Sequence, residues 1–241
     1  MNNNEVRVSV CLACYNGEKF IADQINSILN QLGADDELII SDDNSSDSTV
    51  DIIKSINDDR IHLISNELRK GVNGNFENAL RNSKGKYIFL SDQDDVWMPG
   101  KVDNVVKALQ SHTCIVHDAY ITDGDLNMTR ESFFEAFRCR EGVIHNWIKN
   151  GYLGCAMAFR REILSIALPI PENLPVWHDI WIGTLCAIHY DLAFVPFKGI
   201  KFRRQQSTTS GTAKKGLPLY RKLSCRLGLL RHVFARLVCK K

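Results

Sequence analysis

The sequence predicts an α/β protein: a mostly parallel central sheet flanked by helices, followed by a helical tail. Three observations carry this. Short apolar, β-branched runs alternate with stretches of helical spacing. Two of those runs end directly in clusters of acids. The last segment places leucines and aromatics at steps of three and four among arginines and lysines.

Taken in order, Val6 to Ala13 is a β-branched strand, Tyr15-Asn16-Gly17 a loop, and Glu18 to Gln31 a helix whose Phe20, Ile21, Ile25, Ile28 and Leu29 share a face. A strand at Glu37 to Ser41 runs into Asp42-Asp43-Asn44-Ser45, and a helix over 48–56 has Ser and Asp available as caps. Arg60 to Ser65 is a third strand, Asn73 to Ser83 a helix, and Tyr87 to Ser91 a fourth strand. Pro99-Gly100 opens a helix to about Leu109, with Pro favoured in a first turn. Beyond it the pattern loosens: strands are expected at 115–122, 153–159 and 192–195, a helix at 178–189, and a mobile loop from Gln205 to Lys215. Strand–helix alternation of this kind is Rossmann-like.

Composition is ordinary for a globular chain of 241 residues. The polar start Met1-Asn2-Asn3-Asn4-Glu5 lacks the basic and apolar regions of a secretory signal, and no apolar stretch is long enough to span a bilayer. A cytoplasmic location is therefore expected. The eight cysteines are scattered; Cys11 and Cys14 form a CxxC without a second pair or a histidine cluster, so they read as reduced, structural side chains.

Net charge of +2 conceals an asymmetry. From Ala213 to Lys241 there are nine Lys and Arg and no Asp or Glu; the rest of the chain carries 21 basic against 28 acidic residues. Tyr220, Leu223, Leu227, Leu230, Phe234 and Leu237 form the apolar face of this basic helix. It would lie on an anionic membrane or pack on the acidic body; no nucleic-acid module accompanies it, and no nucleic-acid partner is expected.

The chemistry concentrates in Leu90-Ser91-Asp92-Gln93-Asp94-Asp95-Val96-Trp97. Three carboxylates emerge together at the C-terminal end of a strand, where open α/β sheets bind ligands. Like charges so close are costly without a cation, unless the turn is simply solvated. Oxygen ligands suit Mn²⁺ or Mg²⁺ carrying a diphosphate. Asp42 and Asp43 end another strand on the same edge; they serve either a ribose or base, or a helix N-terminus. No GxxxxGK[ST] and no GxGxxG is present, which argues against a P-loop NTPase or a nicotinamide-dependent dehydrogenase.

The stretches Val8 to Gly17, Ile40 to Asp47, Gly71 to Asn78 and Ser91 to Trp97 together resemble family 2 glycosyltransferases, strongly over about 5–110 and loosely over 111–211. The Asp-Gln-Asp-Asp-Val-Trp form is similar to that of bacterial rhamnosyltransferase-like enzymes of surface polysaccharide synthesis, O-antigen or capsule. The resemblance implies a GT-A fold over 1–212, with a nucleotide-binding half at 1–98, an acceptor-binding half at 99–212 and the tail at 213–241. It implies a nucleotide-sugar donor, a glycan or lipid-linked saccharide acceptor, a divalent metal and inversion at the anomeric carbon. Donor contacts would come from Ala13, Tyr15, Asn16, Asp42, Asp43, Asn75, Asp92, Gln93 and Asp94. The metal would sit on Asp92, Asp94 and Asp95. The family often has Pro where Ala13 stands.

The family also places an Asp at a helix start in the second half, matched here by Val176-Trp177-His178-Asp179-Ile180-Trp181. Asp179 would be the base that deprotonates the acceptor hydroxyl, with the alternative that it only caps the helix. His178 orients Asp179, contacts metal or phosphate, or simply packs. Arg203 and Arg204 would bind diphosphate or remain surface charge; Gln205 or Gln206 stands where relatives carry His. The absence of a QxxRW-like motif favours single-sugar addition. With a lipid-linked acceptor, the enzyme would work at the cytoplasmic face of the inner membrane. The rivals are a nucleotidyltransferase, which would show a Gly-rich basic loop after the first strand, and a catalytically silent sugar-nucleotide-binding or membrane-scaffold protein.

Overall fold

The computed structural model describes residues 6–204 and 218–239. Its elements in chain order are β1 (Val8–Cys14), α1 (Ile21–Leu29), β2 (Glu37–Asp42), α2 (Thr49–Ser55), β3 (Ile61–Ser65), α3 (Val72–Asn82), β4 (Tyr87–Asp92), β5 (Val96–Trp97), α4 (Lys101–Leu109), β6 (Cys114–Thr122), β7 (Met128–Arg130), α5 (Phe133–Phe137), α6 (Val143–Ile148), β8 (Met157–Arg160), α7 (Leu164–Ala167), α8 (His178–His189), β9 (Leu192–Arg203) and α9 (Leu219–Cys239). Among the described residues, no helix is long and apolar enough to cross a membrane.

One sheet runs through the molecule in the order β3-β2-β1-β4-β8-β6-β9-β5, with β7 paired to β6. β1, β2, β3 and β4 are mutually parallel. β8 is the antiparallel insert between β4 and β6, and β9 returns parallel to β6. The chain steps outward from β1 to β3 and then re-enters on the other side of β1 as β4. With right-handed crossovers, α1 and α2 cover one face of the sheet and α3 the other. This switch leaves a crevice at the carboxyl ends of β1 and β4, where Ala13 pairs with Asp92 and Cys14 with Asp42 of β2.

β1 and β4 are buried on both faces and read as apolar runs rather than alternations, whereas edge strand β3 stays partly exposed: Val8, Val10, Cys11 and Leu12 of β1 and Ile88, Phe89 and Leu90 of β4 have no exposed surface. Burial drives the packing here, at about 1.5–3 kcal/mol for each large aliphatic or aromatic side chain removed from water.

Several elements differ from their sequence expectation, each for a local reason. α1 starts at Ile21 rather than Glu18, because the Gly17 and Glu18 amides donate to Thr49 Oγ1 and an Asp47 carboxylate oxygen. The strand expected from Leu153 opens instead with a 3₁₀ turn at Gly154–Ala156, and β8 begins at Met157. β9 continues to Arg203 past the expected end at Val195: Pro196 and Phe197 form a bulge, with His117 of β6 opposite Val195 and Asp118 opposite Lys198. The expected mobile loop at 205–215 lies outside the described residues.

Candidate active site

The acidic turn after β4 divides by depth. Asp92, Gln93 and Asp94 are half-buried at the crevice, whereas Asp95 has no exposed surface. One Asp95 oxygen accepts the Arg203 backbone N–H at 2.9 Å; the other, Oδ2, is buried with no hydrogen-bond partner among the described residues. Cys155, presented by the 3₁₀ turn before β8, brings its Sγ and single oxygens of Asp92 and Asp95 within 4.8 Å of one another. Burial, with the nearby Asp94 and Asp179 carboxylates, pushes the Asp92 carboxyl up to about 7. Burial raises Asp94, and burial with Asp94 and Asp92 raises Asp95 well above the carboxylate range. An excess of buried negative charge with an orphaned oxygen is a donor set that fits a divalent cation.

Asp179 reaches this cluster from the opposite half. It stands in the first turn of α8, where its Oδ1 accepts the Ile180 N–H at 2.8 Å, and the Gly154 amide also donates to its carboxylate. Burial lifts Asp179 to about 6, so it is ionised at neutral pH yet more basic than an ordinary aspartate. A Cβ on Gly154 would come within 3.1 Å of His178 Nε2 and 3.4 Å of Asp179 Cβ, a close approach that a larger residue would tighten. His178 is buried and stacked on Phe76 with centroids 3.7 Å apart. Among the described residues both its ring nitrogens lack hydrogen-bond partners, and burial holds the ring neutral with a pKa of about 3.

The loop after β1 closes the other wall. Tyr15 and Asn16 are exposed. Asn16 adopts φ 47° and accepts the Ser46 N–H through Oδ1 at 2.8 Å. Asp42 accepts the Ser45 N–H at 2.9 Å, and Asp43 accepts from Asn66 Nδ2 and the Gly71 N–H, each at 2.7 Å. Both acids thus shape their own turn, and each carboxylate keeps lone pairs for a ligand. Asn75 donates Nδ2 to the Cys14 carbonyl at 2.9 Å, while its Oδ1 is buried with no hydrogen-bond partner among the described residues.

Arg203 is buried. Nε donates to the Asp94 carbonyl at 2.7 Å and Nη1 to the Gly124 carbonyl, while the guanidinium lies 4.5 Å over the Phe20 ring. It braces the acidic turn from the side. Arg204 is half-buried, 5.6 Å over the Phe137 ring, with its N–H on the Thr122 carbonyl.

Sequence reasoning missed two side chains. Cys155 in an apolar run reads only as a small hydrophobe. Lys101, 1% exposed, donates Nζ to the Cys155 carbonyl at 2.9 Å and lies 4.0 Å over the Trp97 ring. Burial pulls it down to about 7, against the attraction of Cys155, Asp95 and Asp92. Its position in the first turn of α4, following an acidic turn, was the available signal.

Residues 9–166 match the family model of glycosyl transferase family 2. The chain belongs to this family. WfgD of Escherichia coli, a UDP-Glc:alpha-D-GlcNAc-diphosphoundecaprenol beta-1,3-glucosyltransferase, is 28% identical over 216 residues, covering 87% of this chain and 82% of WfgD. Among solved structures, Staphylococcus aureus TarS 1-349 in complex with UDP-GlcNAc superposes with a TM-score of 0.66 at 17% identity, covering 87% of this chain and 62% of that one. Glucosyl-3-phosphoglycerate synthase of Mycobacterium tuberculosis, in complex with Mn²⁺, UDP and glucosyl-3-phosphoglycerate, gives 0.61 at 17% identity, covering 95% of this chain and 79% of that one. At such identities the likeness establishes the fold, which is GT-A. The family 2 chain is a glycosyltransferase, and the antiparallel β8 and late β9 are how its second half joins the parallel first half.

Proposed function

We propose that this glycosyltransferase moves a hexosyl or deoxyhexosyl unit from a nucleoside-diphosphate sugar to a hydroxyl of a lipid-linked saccharide, with inversion and with Mn²⁺ or Mg²⁺ bound. The product would enter bacterial surface polysaccharide, and the work would be done at the cytoplasmic face of the inner membrane, with residues 213–241 as a peripheral contact. One observation carries the reading: Asp94 from the same turn and Asp179 from the other half of the chain both lie near enough to raise Asp92. The diphosphoundecaprenol acceptor named for WfgD supports a lipid-linked acceptor, and its UDP-Glc supports a UDP-hexose donor.

In this reading residues 1–98 bind the donor and 99–212 the acceptor. Ala13, Tyr15, Asn16, Asp42, Asp43 and Asn75 surround the nucleoside, with Gln93 holding their loop to the acidic turn. Asp92, Asp94 and Asp95 would hold the divalent cation, which supplies positive charge to the departing diphosphate. Arg203 contributes by bracing this turn, and Arg204 stands beside it for diphosphate. Asp179 accepts the acceptor hydroxyl's proton as the new bond to the anomeric carbon forms. Its carboxylate is aimed by the Ile180 and Gly154 amides, and alignment of the two substrates supplies much of the rate.

The test is incubation with a panel of nucleotide sugars, UDP-glucose first, and a GlcNAc-diphospho-alkyl acceptor, with product mass read in Mn²⁺ and in excess chelator. A single added sugar, lost on chelation, is expected. Formation of nucleoside triphosphate and sugar 1-phosphate when pyrophosphate is added, without transfer, would favour the nucleotidyltransferase reading, and full activity in chelator would remove the metal.

A further inference from the structure

α9 carries two apolar stripes, and among the described residues only one of them meets the rest of the protein. On the inner side Leu229 and Val233 are buried and Leu237 packs against the core. Gly228 lies so close to Pro175 that a Cβ would come within 2.7 Å of its ring. Arg236 Nη1 donates to the Leu168 carbonyl at 3.0 Å and also to that of Ile166, Arg226 donates to the Ile148 carbonyl, and Trp147 Nε1 donates to the Arg226 carbonyl at 3.3 Å. The helix is therefore docked in a fixed orientation.

On the outer side Tyr220, Leu223, Leu227, Leu230, Phe234 and Val238 are between 43% and 68% exposed. At 3.6 residues per turn they fall within a band roughly 80° wide. α6, tied to α9 through Arg226, adds exposed Ile144 and Ile148. Single exposed apolar residues are unremarkable, but a continuous row marks an interaction surface. The exposed side chains of Arg221, Lys222 and Arg231 stand on the same helix, and no acid occurs between Ala213 and Lys241.

We propose that this outer row, with Ile144 and Ile148, is a seat for an anionic bilayer surface, and that the inner row fixes the distance of Asp179 from that surface. Charge decides the occupant. A second copy would bring arginines and lysines against arginines and lysines, whereas anionic headgroups satisfy the cations while the acyl boundary takes the apolar row. Pro175, held against Gly228, lies four residues before Asp179, so the seat is coupled to the segment carrying the base. The use of this seat rests on the lipid-linked acceptor of the proposed function; the binding itself does not.

The full chain is mixed with vesicles of phosphatidylcholine alone or with added phosphatidylglycerol and sedimented. Binding is expected only with the anionic lipid, weakening with salt. Leu227→Glu combined with Phe234→Glu lowers it by at least about tenfold, and Arg221→Glu with Arg231→Glu by several-fold. Transfer to a water-soluble acceptor stays unchanged in both. Wild-type protein that stays in the supernatant, or a Glu double variant that sediments like wild type, overturns the proposal. So does a concentration-dependent dimer that the same variant abolishes while vesicles bind neither form. Vesicle binding without glycosyl transfer from any donor sustains the seat and sinks the function; transfer without vesicle binding does the reverse.

Discussion

Gln93 and Tyr15 are joined in both directions: the Tyr15 N–H donates to Gln93 Oε1 at 2.8 Å, and Gln93 Nε2 donates to the Tyr15 carbonyl at 3.0 Å. A side-chain amide thereby imitates a strand neighbour and holds the loop after β1 to the acidic turn after β4. Gly17 shares the space, since a Cβ there would fall 2.4 Å from Gln93 Oε1. Replacing Gln93 by Ala removes both bonds, each worth about 0.5–1.5 kcal/mol. A rise in donor KM of roughly tenfold is expected, with a fall in melting temperature of about 2–10 °C. Unchanged KM would mean the two loops act independently.

Activity should follow the ionisation of Asp179. With its pKa at about 6, the carboxylate is the dominant form above that pH and the protonated acid below it. kcat/KM is expected to rise with pH through about 6 and then level off, because only the ionised form accepts a proton. A flat profile down to pH 5 measured with saturating cation would contradict the assignment.

Stability should run the other way. Asp92 titrates near 7 and Asp179 near 6 in the folded protein, against about 3.9 for an unfolded aspartate. Between about pH 4 and 7 the folded form therefore holds more protons than the unfolded form, and these groups lower stability as pH rises through that window. A divalent cation binds the ionised carboxylates and competes with their protons. The melting temperature should gain more from Mn²⁺ at about pH 7.5 than at about pH 5.5. An equal gain at both would place the ion elsewhere.

Arg203 braces the turn through the Asp94 and Gly124 carbonyls. Arg203→Ala removes these charge-assisted bonds and exposes carbonyls to an emptied space; a loss of about 2–3 kcal/mol in stability is expected. Cation affinity, read by titration calorimetry with Mn²⁺, should weaken with it. Full Mn²⁺ affinity in a folded Arg203→Ala protein would show that the brace does not order the turn.

Glu77 plays the comparable part across the two halves. Its buried carboxylate meets Arg69 at 3.2 Å and Arg81 at 2.7 Å and accepts the Ile170 N–H at 3.1 Å. Glu77→Ala removes both ion pairs and leaves the buried Ile170 N–H without its acceptor, and chemical denaturation should report a loss of about 1–3 kcal/mol.

Much of the fold is legible because the central strands of the first half are buried on both faces and read as unbroken apolar runs, as in Ile88 to Leu90. α8 was legible at both ends. β9 was cut short because Pro196 is ordinarily a strand breaker; the bulge opposite His117 and Asp118 absorbs it, and that pairing is tertiary information. The short α5, α6 and α7 carry too few turns to show a period. At the site, the clustering of acids on one edge followed from sheet topology. The thiol of Cys155 beneath them did not, since a single 3₁₀ turn at Gly154 decides it. Nor could charge alone reveal that Arg203 spends its donors on backbone carbonyls.

The most direct measurement is single-turnover transfer by Asp179→Asn beside wild type, with donor affinity measured on the same samples in Mn²⁺. The substitution keeps the shape of the side chain and removes its basicity. Transfer should fall by about 10²–10⁴-fold while donor Kd stays within roughly twofold. Transfer retained within about tenfold, or donor binding lost in proportion to transfer, would contradict the central claim that acids from the two halves of this chain divide donor binding and proton removal between them.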